Sequence, residues 1–210
     1  MKHGRFITFE GGEGSGKSTQ VKLLSDFLRT QDIEVVQTRE VGGAPSAEAI
    51  RELWLTPKDG HWDPLTELLL ISAARREHLV KTVFPALSRG AWVISDRFAD
   101  STRAYQGIGL GLGLEVVESI YRIVAPDFEP DLTLLLDLPV EAGLSRMKKR
   151  GGQDDRYQKR TSIFIRSCAT PIYPLRKRMR NVFASSMRPR TRPKSRLLSN
   201  SLCLNTLNYD

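Results

Sequence analysis

Gly11-Gly12-Glu13-Gly14-Ser15-Gly16-Lys17-Ser18 is a complete Gly-x-x-x-x-Gly-Lys-Ser/Thr loop, and its flanks decide how it folds. Before it, Arg5 to Glu10 is a short run of β-branched and aromatic residues, the composition of a buried parallel strand. After it, Lys17 to Arg29 carries Val21, Leu23, Leu24, Phe27 and Leu28 on one helical face. Strand, glycine loop and helix in that order turn successive backbone N–H groups and a helix N-terminus onto an anion. Glycine lets such a loop use positive φ and brings its backbone close to phosphate. The expected ligand is a nucleoside triphosphate held by Gly11 to Thr19. Lys17 then reaches the β- and γ-phosphates, and the Ser18 hydroxyl ligates Mg²⁺.

The same grammar repeats along the chain. Ile33 to Thr38, Ala91 to Asp96 and Leu132 to Asp137 read as three further strands. Helical patterns begin near Ser46 and run from Pro64 to Leu87, the latter bearing Leu65, Leu68, Leu69, Ala73, Leu79, Val80, Val83 and Leu87. Strands that are almost wholly apolar and alternate with helices predict an α/β fold of the P-loop NTPase type, a parallel sheet covered on both faces. In such sheets ligands gather at the carboxyl ends of the strands. Glu10 with the glycine loop, Arg39-Glu40, Asp96-Arg97 and Asp137 fall there. Asp96 can order Mg²⁺ or its waters, and Arg97 can grip a phosphate with two parallel bonds.

The chain has 210 residues and a formal net charge of +8, but the charge is uneven. Residues 160–210 hold 11 Lys and Arg against Asp210 alone, whereas residues 1–159 hold 21 against 23 acids. This divides the chain into an expected P-loop domain, 1–159, and an aberrant basic tail, 160–210. Both cysteines, Cys168 and Cys203, lie in the tail without metal or redox spacing. No signal peptide or membrane span is legible, so a cytoplasmic protein is expected.

Asp96-Arg97-Phe98-Ala99-Asp100-Ser101-Thr102-Arg103-Ala104-Tyr105-Gln106-Gly107 resembles the signature segment of thymidylate kinases, written DR[YF]xxSxxAYQG. The phosphate loop, Thr38-Arg39-Glu40-x-Gly42-Gly43 and Ala73-Ala74-Arg75-x-x-His78 match the same family in order, so the resemblance spans about residues 4–157. It implies transfer of the ATP γ-phosphoryl group to dTMP, with Mg²⁺, in a homodimer joined through the helices around Pro64–Leu87. It further implies that Glu13 meets the sugar 3′-hydroxyl and that Arg97 and Arg39 hold the phosphate of dTMP. Arg75 would read the thymine edge, Ser101, Thr102 and Gln106 would add base or sugar contacts, and Tyr105 would pack under the deoxyribose. Two positions depart from the family pattern. Val41 stands where Pro is usual, and Ile71 where an aromatic residue usually stacks on thymine. Lys148 to Tyr157 resembles the family's lid, written RGxxDR. With Gly14 and no arginine in the phosphate loop, Arg150 and Arg156 are the expected cations for the transferring group.

From Arg160 the pattern breaks: prolines at 171, 174, 189 and 193 interrupt any helix and the apolar period is lost. Reading each codon from the third base of one residue into the next permits DVDFHQKLRDAYLSIAKKNAERFRVIDAS between Arg160 and Pro189. That string has a helical face and ends like the family's last strand, so one base lost near the Lys159/Arg160 codons accounts for the break. Without that strand and helix, an inactive remnant of a kinase is one alternative reading. Another P-loop nucleotide kinase is a second. A third is non-specific nucleic-acid binding by the basic tail.

Overall fold

The computed structural model describes residues 4–149. The expected boundary at 159/160, the lid residues Arg150 and Arg156, both cysteines and the basic tail lie outside the described residues. Four strands, β1 (Phe6–Gly11), β2 (Val35–Arg39), β3 (Trp92–Asp96) and β4 (Leu132–Leu136), form one parallel sheet in the order β2-β3-β1-β4. β1, β2 and β3 start one or two residues later than the apolar runs suggest, β1 and β2 run one residue further, into Gly11 and Arg39, and β4 starts at Leu132 as expected but ends one residue before Asp137. The register sets Phe9 beside Asp96 and Arg39 beside Asp96, so three strand ends deliver their polar residues to one edge.

The period of two along the strands sorts the core onto two faces. On one face Ile7, Phe9, Trp92, Ile94, Leu132 and Leu134 pack against Val21, Leu24 and Leu28 of α1 (Lys17–Arg29). On the other, Phe6 and Val93 meet Leu79, Val83, Ala86, Phe98, Tyr121 and Ala125. Phe6 sits edge-on to Phe98 at 4.9 Å and stacks on Phe128 at 5.4 Å. Each such ring, once fully buried, adds about 1.5–3 kcal/mol. The sheet is therefore helix-covered on both faces, as the alternation predicts.

α2 (Pro45–Leu55) and α3 (Pro64–His78) each begin with Pro at the first helical position, where its fixed φ suits the helix and no N–H is missed. Asp63 caps α3 by accepting from the amides of Leu65 and Thr66. The long helical pattern continues without a break through a π-helical turn, Leu79–Val83, into α4 (Phe84–Ser88). Its apolar pattern is buried only in part. Leu65, Leu69, Ala73 and Val80 are exposed, while Glu67, Ile71, Ser72, Ala74, Arg75 and His78 are buried. A polar cleft claims one side of α3 and leaves leucines on another. The remaining helices are α5 (Ala99–Thr102), which runs into a second π-helical segment, Arg103–Gly109, then α6 (Leu114–Val124) and α7 (Val140–Lys149). No helix among the described residues is long and apolar enough to cross a membrane.

Candidate active site

α1 opens on Gly16 in the left-handed region (φ 98°), and no side chain caps its first turn. Amides at an uncapped helix start of this kind can bind an external anion. Lys17 is buried and its Nζ donates to the carbonyls of Gly11 and Gly12 at 3.0 and 2.9 Å. Burial, reinforced by the nearby Arg97 cation, draws its pKa down to about 8. Ser18 Oγ donates to Asp96 Oδ2 at 2.7 Å. Two hard oxygen donors thus meet at the mouth of the loop.

Arg97 sits at the centre of the site with φ 73°, a conformation that costs a side-chain-bearing residue about 1–3 kcal/mol. Its backbone is held on both sides: its N–H donates to the Phe9 carbonyl, and its own carbonyl accepts from Ser95 Oγ at 2.7 Å. The next residue, Phe98, is anchored in the aromatic core and donates its amide to Glu10 Oε1 at 2.7 Å. The guanidinium bonds Ser101 Oγ at 2.9 Å, pairs with Glu13 of the phosphate loop, and lies 5.4 Å from the Tyr105 ring centre. Burial opposes Glu13's charge, but Arg97 and Lys17 outweigh it and hold the carboxyl below its ordinary 4.5.

Glu10 is buried behind Arg97 and also accepts from Ser101 Oγ at 2.6 Å. Burial and the neighbouring Asp100 push its pKa up to about 7, against the opposing pull of Ser101, Arg97 and the Phe98 amide. Between pH 4.5 and about 7 the native state keeps a proton that the unfolded chain has released. Stability contributed here accordingly falls as pH rises through that window. Glu10→Gln is expected to remove this decline, so that its melting temperature gains on the wild type from pH 5 to pH 7. Parallel melting curves for the two proteins would rule the assignment out.

A second buried network lines the far wall. Glu40 accepts from Arg75 Nε at 2.8 Å and pairs with His78 Nδ1 at 3.0 Å, while His78 Nε2 meets Thr38 Oγ1 at 2.7 Å. Arg75 Nη2 donates to Thr102 Oγ1 at 2.9 Å, and its guanidinium lies 5.0 Å from the Phe98 ring centre. Gln106 Nε2 donates to Glu67 Oε1 at 2.7 Å. The π-helical segment Arg103–Gly109 carries Tyr105 and Gln106 to this wall, and such segments recur at functional sites.

These walls enclose an open cleft of about 390 Å³. It is lined by Glu13, Gly14, Gly16, Lys17, Ser18 and Thr19 from the loop, and by Arg39, Ile71, Arg75, Asp96, Arg97, Ser101, Thr102, Tyr105 and Gln106. Gly11, Gly12 and Ser15 stand behind the lining. Ser15 Oγ is buried and makes no hydrogen bond among the described residues. Arg39 is exposed and its Nη2 bonds Glu48 Oε2 at 2.9 Å. The cleft also includes Glu40, Val41, Arg51, Trp54 and Leu55, which the sequence reading did not assign. Arg146 was likewise unassigned; its Nη1 donates to the Gly14 carbonyl at 3.4 Å, bringing a cation of α7 to the phosphate loop. Its only sequence signal is its place one turn after Gly143, whose backbone touches Glu13 and Gly14.

The thymidylate kinase family model matches residues 9–184, past residue 157 and into the stretch where the pattern breaks. The chain is 52% identical to a thymidylate kinase of Chromohalobacter salexigens over 166 residues, covering 79% of this chain and 78% of that one. It is 56% identical to a thymidylate kinase of Pseudomonas fluorescens over 151 residues, 72% of each. This chain belongs to the thymidylate kinase family. The crystal structure of a thymidylate kinase from Ehrlichia chaffeensis superposes with a TM-score of 0.70 at 33% identity, covering 90% of both chains. The parallel sheet of this kinase, a phosphotransferase, is thus also the fold of a solved family member.

Proposed function

We propose that the chain transfers the γ-phosphoryl group of Mg-ATP to the 5′-phosphate of dTMP, giving dTDP and ADP and so supplying dTTP for DNA synthesis. The observation that carries this reading is Arg97, whose guanidinium is tied to Glu13 of the phosphate loop in the same cleft as Arg75, Ile71 and Gln106. A cation for the dTMP phosphate then lies one loop away from the donor phosphates. Phosphoryl transfer asks a protein mainly for in-line positioning and charge neutralisation. Lys17 and the first-turn amides of α1 hold the donor phosphates. Arg97, with Arg39 at the rim, holds the phosphate of dTMP, and Glu13 takes the sugar 3′-hydroxyl. Tyr105 supports the deoxyribose, while Arg75, Thr102 and Gln106 meet the base over Ile71.

The Ser18–Asp96 pair supplies hard oxygen ligands suited to Mg²⁺. No cluster of three or more His, Cys, Asp or Glu side chains able to hold a metal occurs among the described residues, which fits a cation that arrives with the nucleotide's phosphates. Held by Ser18 and Asp96, Mg²⁺ would supply neutralisation of the donor's phosphate charge. Arg150 and Arg156 retain their proposed lid role, and Arg146 joins them from the near end of that segment. A homodimer is supported by exposed Leu65, Leu69 and Val80 along the α3 line and by Val116 and Ile123 on α6, which packs against α3. We place the enzyme in the cytoplasm.

The test is ADP release by the full 210-residue chain with Mg-ATP and dTMP, dUMP, dCMP or AMP. Turnover is expected to be strongest with dTMP. A stronger response to another nucleotide would replace dTMP in the reading. A chain that binds dTMP without any turnover would identify the inactive remnant.

A further inference from the structure

Glu67 has no part in the phosphate chemistry, yet it is buried on the cleft side of α3, one turn before Ile71 and two before Arg75. Its Oε1 accepts from Gln106 Nε2 at 2.7 Å, and Gln106 is 2% exposed. A carboxylate can only accept, so it dictates which end of the Gln106 amide faces it. Nitrogen faces Glu67, and oxygen is turned elsewhere. That oxygen accepts no hydrogen bond among the described residues, but it is not sealed in the interior, and Gln106 borders the cleft. We propose that Glu67 is a positioning residue that fixes Gln106 with its carbonyl oxygen toward the cleft and thereby selects a base whose edge carries an N–H beside a C=O.

This inference rests on the reading that the base lies against Arg75 and Gln106. Arg75 has donors only, and Glu40 and Thr102 hold it in place. Beside it, the Gln106 oxygen supplies an acceptor. A donor next to an acceptor complements the imide edge of thymine or uracil, whose carbonyl receives from Arg75 and whose ring N–H donates to Gln106. The cytosine edge is reversed. Its amine would meet a guanidinium, and its unprotonated ring nitrogen would face the Gln106 oxygen. Both mismatches leave buried polar groups unpaired, the situation in which a site discriminates most strongly. If the amide were free to turn over, its nitrogen would suit cytosine and half of that discrimination would go.

Glu67→Gln keeps shape but can either donate or accept, so it releases the amide. The experiment measures kcat and KM for dTMP and dCMP in the wild type, E67Q and E67D, together with ATP affinity and melting temperature. For E67Q the dTMP-to-dCMP ratio of kcat/KM is expected to fall about tenfold or more, the factor attached to one well-made hydrogen bond to substrate. The change should appear mainly in the KM for the monophosphate, with ATP affinity unmoved. E67D, still acceptor-only, should keep a ratio nearer the wild type. Glu67→Met removes the acceptor altogether and should give the same fall, which covers failure of E67Q to fold. An unchanged ratio in a folded E67Q or E67M, beside a wild type that prefers dTMP, overturns the inference and leaves the function standing. A wild type with no preference for dTMP over dCMP overturns the base reading itself, and the inference with it.

Discussion

Arg97→Ala is expected to lower kcat/KM for dTMP by roughly a thousandfold, about 4 kcal/mol of transition-state stabilisation, in a protein that still binds ATP. The size of the effect follows from how much structure is committed to this one side chain. The left-handed backbone at Arg97 is held by Phe9 and Ser95, and Phe98 is locked into the aromatic core directly after it. The guanidinium is then steered by Glu13, Ser101 and Tyr105 rather than left to its own rotamers. A charge delivered without reorganisation is worth most where charge develops during transfer. Lysine is a poor substitute, because one ammonium cannot reproduce the planar fork that bonds Glu13 and Ser101 together. Arg97→Lys should lose roughly a hundredfold. Steady-state ADP release at saturating ATP, with ATP affinity measured directly, decides the matter. A loss below tenfold for the alanine variant would remove Arg97 from the centre of the mechanism.

Glu40→Ala should be strongly destabilising. Its carboxylate is 3% exposed and lies between Arg75 and His78, and Arg75 is itself almost fully buried. Removing one member of a buried ion pair strands the other, at a cost of about 3–5 kcal/mol. For a chain of this size that corresponds to a fall in melting temperature of about 10 °C. Burial works against ionisation of Glu40, but the Arg75 cation and the His78 bond prevail and keep its pKa below 4.5. The sign is the reverse of that at Glu10. The stabilisation is present in full above pH 4.5 and is lost as pH falls through the lowered native value. Thermal unfolding followed from pH 3 to pH 7 should show the wild type losing stability at the acid end, and Glu40→Gln losing less. A melting temperature within about 2 °C of the wild type for Glu40→Ala would mean that the pair contributes nothing net.

The phosphate loop, α1 and the four strands were legible because each is a local signal. Glycines, a lysine and a helical stripe lie within twenty residues, and each strand is a short segment rich in apolar, β-branched or aromatic residues. The site residues that line the cleft were legible for another reason: four blocks resemble one family, and Arg75, Thr102 and Gln106 were carried over with them. Apolar spacing did not by itself orient α3, because it reports what avoids water, not what it packs against. Leu65 and Leu69 belong to the apolar pattern yet are exposed, whereas the polar Glu67 is buried beside the cleft. α6 went unassigned although Leu114, Val117, Tyr121 and Val124 follow helical spacing directly after Gly113. Glu67 and Arg51 left no trace in spacing. Their partners are 39 residues away for Glu67 and, for Arg51, include the Val41 carbonyl across a turn.

Gly14 has φ 71°, and a Cβ built on it would strike the carbonyl of Gly143; a Cβ on Gly143 would strike the carbonyl of Glu13. Two stretches of chain 129 positions apart therefore share a gap only a hydrogen atom wide. For the lineage that carries this sequence, the contact closes one mutational road. An arginine at position 14 fits only if the start of α7 moves, and the cation that does reach this loop, Arg146, comes from the helix on the other side of the gap. One close approach of two backbones thus refuses a Cβ at both positions, so glycine at 14 and glycine at 143 serve the same contact although neither has a side chain.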